Sequence, residues 1–364
     1  MSREARLIFI AVYTLAGLGV VMTYSASAVL AEYVYHNPQY FLFRQILYVF
    51  LGTIVMFATA SVPLEFWKRR GREAILLAIV FLMMVFIPVI GRSAGGARRW
   101  IHIGIFNFQP AEFAKVAVCL YLADYLARKR KFIKRGSLRI FLPPLFLIGL
   151  VCGLALLQPD LGSCAFIFLI VAVLFFLAGI RLRYILAAYL VFLPVFYSLV
   201  IRVPYRLGRV AAFLNPWEDP QKSGFQIIQS FLAFGLGGLK GVGLGQGTQK
   251  LFYLPSAYND FIFSIIGEEL GLLGVFFVIF LYAVIFVCGI LIAERTHREY
   301  EKFLVISLTL MIVLQALIHM LVTTGLIPTK GLSLPFVSFG GTSLVFNLMA
   351  VGLLMAADRQ FKRG

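Results

Sequence analysis

The sequence is poor in charged residues, and this shortage excludes several classes of protein. Charged residues occupy 13% of the 364 positions, whereas a soluble domain carries about 25%. The hydrophobic share is 61%, which a water-soluble globule would have to hide from solvent almost completely. We therefore exclude a soluble enzyme, a coiled coil and a disordered chain, and we expect a membrane protein.

Cysteine and histidine are also scarce, with four of each. The cysteines all lie within apolar stretches without a C-x-x-C pair, which is typical of small buried side chains. The histidines form no H-E-x-x-H motif, and no Ser/His/Asp nucleophile pattern is present. The glycine-rich stretch 235–247 lacks the G-K-[ST] ending of a phosphate-binding loop. The sequence therefore assigns no nucleotide site, and any metal ligands stay unknown.

Ten apolar runs account for most of the hydrophobic residues. A helix that crosses a bilayer needs about 20 apolar residues, and the composition suffices for ten. We predict an all-α integral membrane protein with about ten transmembrane helices, in which residues 1–364 form a single polytopic membrane domain. The first run resembles a signal sequence, but it is long for a cleaved one, so we expect an uncleaved anchor. The runs are 7–28, 41–62, 73–90, 110–127, 140–157, 161–180, 184–201, 262–293, 303–325 and 336–356.

The basic residues predict the orientation in the membrane. The net charge is +17, and a cytoplasmic N-terminus places 21 Lys and Arg in inner segments against 10 in outer ones. Because cytoplasmic segments retain basic residues, we expect a multi-pass protein of the cytoplasmic membrane with both termini inside. We attribute the charge to this retention and to anionic lipids rather than to nucleic acid. The inner loops are too short for a nucleotide-binding domain, which excludes a built-in ATP-driven pump.

One long outer loop, about 202–260, joins spans seven and eight. Within it, Phe225, Ile228 and Leu232 form one helical stripe, which predicts an amphipathic helix at the membrane interface. Asp260 closes the loop directly before span eight. A partly desolvated carboxylate at this boundary could act as a general base. The alternative is a helix N-cap, which position alone favours, and Asp160 occupies the corresponding place before span six.

Three further features place charge near the membrane. Residues 91–100 (GRSAGGARRW) form a predicted turn with three arginines, which suits either phosphate oxygens or lipid headgroups. Glu112 and Lys115 share one face of span four, and we favour cavity lining modestly over an intrahelical ion pair. Arg44 in span two has the same two interpretations. Adjacent Glu268 and Glu269 cannot face one partner, so at least one should fix helices together.

Several ordered motifs resemble the SEDS family (shape, elongation, division and sporulation). The resemblance covers nearly the whole chain, and segments 215–217 and 328–331 are closer to the division branch than to the elongation branch. The sequence departs from the family's LPEAHTDFIF pattern at Ser256, Tyr258 and Asn259, although Asp260 is retained. The motifs are YSAS at 24–27, GARRWI at 96–101, FQPAEFAK at 108–115, QPDLG at 158–162, FLNPWEDP at 213–220, GFQIIQS at 224–230, the segment 250–274 and TGLIPTKGLSLPFVSFGGTS at 324–343.

The resemblance implies ten transmembrane helices and a peptidoglycan glycosyltransferase, an inverting enzyme that polymerises lipid II outside the cytoplasmic membrane during cell division. The key acid of the family falls on Asp260, which we assign as general base, with polyprenyl pyrophosphate as leaving group. Arginine and lysine side chains would stabilise the departing charge. The implied substrate-binding residues are Arg44, Arg98, Arg99, Gln109, Glu112, Lys115, Asp160, Lys330 and Ser338.

The resemblance also implies partners and leaves alternatives open. A class B penicillin-binding transpeptidase would cross-link the new strands, with other division proteins at the septum. A divalent cation, Mg²⁺ or Mn²⁺, could assist, but no cofactor is assigned. The alternatives are an elongation polymerase, a structural scaffold for division proteins, and a lipid II flippase or transporter that uses Glu112, Lys115 and His319.

Overall fold

The protein is built almost entirely from helices that follow the apolar runs. The computed structural model describes residues 1–94, 97–104, 106–134, 138–201, 204–251 and 253–361. Short 3₁₀ helices cover Leu138–Phe141 and Pro216–Glu218. The α-helices are α1 (Arg3–Tyr35), α2 (Tyr40–Ser61), α3 (Leu64–Arg69), α4 (Gly71–Met84), α5 (Pro110–Lys134), α6 (Leu142–Leu157), α7 (Leu161–Leu177), α8 (Leu182–Ile201), α9 (Pro204–Leu214), α10 (Phe225–Gly237), α11 (Ile262–Arg295), α12 (Glu299–Thr323) and α13 (Gly341–Phe361).

The predicted all-α membrane fold is confirmed, because each of the ten apolar runs overlaps a helix. Among the described residues, six helical segments are long and apolar enough to cross a bilayer. Helices α4 and α7 are shorter, with 14 and 17 residues, so the number of ten spans stays a prediction. The six segments are Arg3–Tyr35, Tyr40–Ser61, Arg139–Leu157, Ile262–Arg295, Glu299–Thr323 and Gly341–Gln360.

Helix α5 lies in the centre of the bundle. Its residues 114–126 are buried on all sides, including the charged Lys115 and Asp124. It packs against α4 and α12. Helix α13 approaches α2 closely, because a Cβ at Gly352 would meet Thr59 and the backbone of Met56. Small residues permit this spacing between membrane helices.

A three-stranded antiparallel sheet precedes α5 and corrects the predicted turn at 91–100. It consists of β1 (Gly91–Ala94), β2 (Ala97–Ile103) and β3 (Phe106–Phe108). Arg92 pairs with Trp100, and Ser93 pairs with Arg98 after a bulge. The turn was predicted from the glycines, while the strand-forming pattern of 97–103 was overlooked. Residues 95 and 96 lie outside the described residues.

In the described part of the long outer loop lie the α-helices α9 and α10, of which α10 was predicted. The predicted apolar stripe is only partly correct, since Ile228 is buried but Leu232 is 46% exposed. The buried face instead holds Ile227, Ser230 and Ala233, because α10 packs on α11, and its predicted position at the membrane interface stays a prediction. Ser230 Oγ lies 2.6 Å from Ser264 Oγ of α11. This contact fixes the loop to the helix that follows Asp260.

Helix α11 is interrupted at Gly271, which has φ 65° and ψ −166°. A break inside an apolar helix leaves backbone groups that must find other partners. The glycine-rich stretch supplies them, which explains a pattern for which the sequence offered no function. Four backbone hydrogen bonds join the two segments: Val242 N to Glu268 O, Gly243 N to Glu269 O, Leu272 N to Gly238 O and Leu273 N to Leu239 O.

Candidate functional site

Asp260 lies at the end of the outer loop, in a turn where its backbone N–H donates to Ser256 O at 3.0 Å. The N-cap of α11 is Phe261, and no side-chain cap bond is made there among the described residues. The cap that position alone favoured for Asp260 is therefore absent from α11. Asp160, in contrast, caps α7, with its Oδ1 accepting from Ser163 N at 3.1 Å. The carboxylate of Asp260 is thus left for another role.

A glycine faces the Asp260 carboxylate, and two arginines act on it through their charge. A Cβ built on Gly331 would lie 3.5 Å from Asp260 Oδ2, so the chain after Lys330 faces the carboxylate directly. Burial raises the pKa of Asp260 to about 6, although the positive charges of Arg209 and Arg99 oppose this rise. The residue as a whole is half-buried. It is therefore a desolvated but reachable acid with a pKa close to neutrality.

Arg99 connects the sheet to the start of α7. Its Nε donates to Gln158 O at 3.1 Å, and its Nη2 donates to Pro159 O. These carbonyls immediately precede Asp160, whose Oδ2 accepts from Gln109 Nε2 at 3.4 Å. Predicted site residues from three separate motifs therefore meet at one end of the bundle.

The segment 324–340 carries Lys330 and Ser338 to the same end. Burial lowers the pKa of Lys330. A Cβ at Gly162 would lie 3.9 Å from Leu332 Cγ, so this segment lies between Asp260 and the start of α7. Ser338 Oγ donates to Asn259 O at 2.8 Å and accepts from Leu334 N at 2.8 Å. The Ser338 hydroxyl therefore holds the residue next to Asp260, and its predicted contact with substrate stays a prediction.

Glu112 and Lys115 form a buried ion pair, the interpretation that the sequence favoured less. Lys115 Nζ lies 2.8 Å from Glu112 Oε1, and the side chain of Lys115 is 1% exposed. The same ammonium donates to Gln315 Oε1 at 2.7 Å, and Gln315 Nε2 donates to Ser333 O at 2.9 Å. The pair therefore supports the segment that carries Lys330. Its direct binding of substrate stays a prediction.

Within the described residues, Arg44 and Arg98 form no hydrogen bond or ion pair with Asp260, Arg99 or Asp160. Arg44 stacks on the Tyr40 ring, with its Cζ 4.4 Å from the ring centroid. Arg98 is exposed on β2. His319 is buried, and its Nδ1 lies 2.7 Å from Leu332 O. The structure thus shows packing roles for Arg44 and His319, and the predicted substrate contacts of Arg44 and Arg98 and the transport role of His319 stay predictions.

Sequence analysis missed two groups of residues near the site. Arg209 was counted only as an outer basic residue, although its spacing in the amphipathic segment 204–214 could have singled it out. Lys250 was not recognised as the partner of Glu269, with Nζ 2.7 Å from Oε1, and Ser25 completes this contact. Glu268 accepts from Thr248 N at 2.6 Å. The two glutamates thus hold the outer loop to α11, and Glu269 also accepts from Ser25 Oγ of α1 at 2.7 Å, so it joins two helices as was expected for at least one of the pair.

An apolar cavity of about 560 Å³ lies between α6, α7 and α8. Leu161 and Cys164, on the first turn of α7, belong to its lining. Because Asp160 caps this turn, one edge of the cavity lies next to Asp160 and the residues around it, Arg99 and Gln109. Among the described lining residues, only Tyr184, Tyr189 and Cys164 have a polar atom in the side chain. Such a surface fits a hydrocarbon chain rather than a polar ligand.

The site and both chain ends lie at opposite ends of α11. This helix begins beside Asp260 and ends at Arg295, whose Nη1 lies 2.8 Å from Glu4 Oε2. Ser2 N donates to Asp358 Oδ2 at 2.7 Å, so the first and last helices meet at the Arg295 end. This separation agrees with an outer site and inner termini. Which end faces the cytoplasm stays a prediction.

Comparisons with known proteins agree with this architecture. The family model for cell cycle proteins of the FtsW/RodA/SpoVE type matches residues 5–363. A probable peptidoglycan glycosyltransferase FtsW of Geobacter sulfurreducens is 43% identical over 362 residues, covering 100% of this chain and 97% of the relative. Stage V sporulation protein E of Bacillus subtilis is 41% identical over 356 residues, covering 97% and 96%. The chain belongs to the FtsW/RodA/SpoVE family, a class of multi-pass membrane proteins.

Solved structures share the fold over nearly the full length. A chain described under "Structural coordination of polymerization and crosslinking by a peptidoglycan synthase complex" gives a TM-score of 0.81 at 27% identity and covers 98% of each chain. The rod shape determining protein RodA of Thermus thermophilus gives a TM-score of 0.69 at 25% identity, covering 97% of this chain and 96% of RodA. The helical arrangement is therefore that of known members of the family.

Proposed function

We propose that this protein is a peptidoglycan glycosyltransferase that polymerises lipid II at the outer face of the cytoplasmic membrane during cell division. The observation that carries the proposal is the Asp260 carboxylate, which does not cap α11 and has a pKa raised to about 6. The relatives named as FtsW glycosyltransferases support the reaction, and their identity over the full length supports the division role.

In the proposed reaction, Asp260 acts as the general base. The 4-hydroxyl of an acceptor sugar attacks the anomeric carbon of the donor, and the bond between that carbon and the polyprenyl diphosphate breaks with inversion. Asp260 takes the hydroxyl proton, and the bond electrons leave with the diphosphate. A base is most effective when its pKa lies near the working pH, which fits the raised pKa of Asp260.

The same cluster suits a diphosphate leaving group. Arg209 and Arg99 bring positive charge to the acid, Lys330 adjoins the glycine that faces it, and fixed cations stabilise the charge that develops on a leaving oxygen. Arg44 and Arg98 would meet the headgroup from the rim. The cavity between α6, α7 and α8 would hold the first part of the polyprenyl chain, because its edge meets the turn capped by Asp160.

A divalent cation and a partner extend this proposal. No group of three or more His, Cys, Asp or Glu side chains that could hold a metal occurs in the part of the chain that the structure describes, so we derive no step through a metal.

The neighbour with a TM-score of 0.81 belongs to a complex that couples polymerization and crosslinking. We infer a class B penicillin-binding transpeptidase and other division proteins at the septum as partners of this chain.

Transport of lipid II is the second candidate, and the interruption of α11 at Gly271 favours it, since broken helices line the sites of many transporters. The freed backbone groups of this break, however, bond to the segment 238–243 rather than to an open path. Buried Glu112 and Lys115 also pair with each other. We therefore prefer the polymerase.

Reconstituted vesicles distinguish these functions. Lipid II with a fluorescent label is added to the outer leaflet of vesicles that contain the purified protein, with and without its transpeptidase. We expect glycan strands longer than the disaccharide that grow with time. Translocation of the label without strand growth would instead support a transporter. If neither occurs while Asp260→Asn complements in cells, a structural scaffold is the better account.

A further inference from the structure

Arg209 belongs to α9, a helix of the outer loop that no membrane-spanning segment contains. Its side chain is half-buried, and Ala212 on the same helix is buried. Leu207 and Leu214 are exposed, at 46% and 76%. The helix therefore presents apolar side chains outwards while Arg209 points into the protein, which is the opposite of a solvated basic face.

Arg209 fixes the segment opposite Asp260. Its Nη1 donates to Thr329 O at 3.2 Å, and Thr329 is 9% exposed. A guanidinium holds its donors in a rigid plane, so one such bond also sets the direction of the others. Two residues further along, Gly331 faces the Asp260 carboxylate. The position of the Lys330 backbone relative to Asp260 thus depends on the α9 helix.

Arg209 also acts on Asp260 through its charge. The charged groups that influence this carboxylate come from two elements, Arg209 on α9 and Arg99 on β2, and Arg209 opposes the rise of the Asp260 pKa more strongly. Tyr258 is the titratable neighbour within the same turn. Lys330 follows Thr329 in the facing segment. Removal of the Arg209 charge would therefore leave the carboxylate harder to ionise.

We propose that Arg209 is a positioning residue of the polymerase, which holds the Thr329–Gly331 backbone opposite Asp260 and keeps that carboxylate ready to accept a proton. This role rests on the proposed function, and Arg209 lies outside the sequence motifs that resemble the SEDS family. It also links the site to the outer loop, so that a movement of α9 would change both the geometry and the ionisation of the base.

The test uses the full-length protein in vesicles with lipid II, and compares Arg209→Gln, Arg209→Lys and Lys222→Gln. Lys222 is exposed in the same loop, so its substitution is the matched loss of one positive charge. Polymerisation rates are measured at saturating lipid II from pH 5 to pH 8. The acidic limb of this profile is the pH range in which the rate falls as the base becomes protonated. We expect the midpoint of this limb to lie roughly one pH unit higher in Arg209→Gln than in the wild type. The midpoint in Lys222→Gln should be unchanged.

Arg209→Lys separates the two parts of the role. It retains the charge but not the planar fork, so we expect an acidic limb close to that of the wild type and a plateau rate reduced roughly tenfold. An acidic limb of Arg209→Gln identical to that of the wild type would overturn the proposal, whether or not its plateau rate falls. So would a Lys222→Gln variant that shifts as far as Arg209→Gln.

The outcomes also separate this inference from the proposed function. A wild-type protein that makes no glycan at any pH refutes the polymerase itself. An active wild-type protein with an unmoved acidic limb in Arg209→Gln refutes only the role of Arg209. Should Arg209→Gln fail to remain monodisperse in detergent, Arg209→Lys gives the decision, since a plateau rate equal to that of the wild type would overturn the positioning role.

Discussion

Gly331 faces Asp260 so closely that a methyl group in place of its α-hydrogen would lie 3.5 Å from Oδ2 and 3.7 Å from Oδ1. These are ordinary van der Waals distances, so the space is present but small. A hydroxyl that gives its proton to Asp260 must come within hydrogen-bond distance of the same oxygens. Gly331 therefore leaves open the approach that the proposed reaction requires.

Gly331→Ala should reduce polymerisation without loss of fold. The added methyl meets only ordinary contacts, so the free energy of unfolding should change by about 0.5 kcal/mol or less. Because the methyl occupies the approach to Asp260, we expect the rate to fall roughly tenfold or more. Rates with lipid II and thermal unfolding in detergent measure both quantities.

Gly340→Ala is the matched control for this substitution. Its methyl would also make ordinary contacts, with Ser343 Cβ at 3.6 Å and Ser333 Cβ at 3.9 Å, but it lies away from Asp260. We expect near wild-type polymerisation. Equal rates for Gly331→Ala and Gly340→Ala would show that the space beside Asp260 is not used by substrate.

The pH dependence of the rate should report Asp260. A general base is competent only when unprotonated, and burial raises the pKa of this acid to about 6. The rate should therefore fall about tenfold per pH unit below pH 6 and level off above it. A profile that stays flat down to pH 4.5 would mean that no group with this pKa takes the proton.

The sequence identified several residues of the candidate site, but it did not predict how these residues are arranged. Asp260, Arg99, Asp160 and Lys330 were predicted from their motifs, and the described contacts bring them to one end of the bundle. Periodicity could not show that Asp260 leaves the cap of α11 unused, since an acid before a helix is usually a cap. Arg209 was missed because its contact with Thr329 joins residues 120 positions apart.

Two features of the fold could not be predicted from the sequence alone. The stripe predicted on α10 included Leu232, which is exposed, whereas the small side chains of Ser230 and Ala233 allow a different face of α10 to pack on α11. The break at Gly271 was also not predicted. A single glycine in an apolar run is compatible with a continuous helix. The helix is interrupted here because its backbone forms hydrogen bonds with segment 238–243.

The Glu112–Lys115 pair should behave as a buried ion pair. Lys115→Met would leave an uncompensated carboxylate at a site where Lys115 is 1% exposed, and loss of one partner costs about 3–5 kcal/mol. The double variant Glu112→Gln with Lys115→Met should recover most of this loss. Thermal unfolding in detergent checks both, and a double variant less stable than Lys115→Met would contradict the pairing.

Gly271→Ala should destabilise the outer loop strongly. Gly271 has φ 65°, and a Cβ would meet the backbone of Gly241 and Leu239. The substitution should therefore lower the free energy of unfolding by about 3 kcal/mol or more. Proteolysis of the 238–251 segment and thermal unfolding measure this effect.

Gly235→Ala offers the comparison within the same glycine-rich stretch. It lies in α10, and a Cβ there meets nothing within 4 Å. Alanine in a helix is favoured over glycine by about 1 kcal/mol, so stability should be unchanged or higher. Equal destabilisation by Gly235→Ala and Gly271→Ala would show that the break in α11 carries no special constraint.

The most direct measurement is polymerisation of lipid II by purified Asp260→Asn beside Asp219→Asn. Asp219 is an acid of the same outer loop whose Oδ2 accepts from Ser223 N at 3.3 Å, so both variants lose one carboxylate of that loop. We expect both to fold and bind lipid II, with glycan formed only by Asp219→Asn. Glycan from Asp260→Asn at the wild-type rate would contradict the assignment of the base.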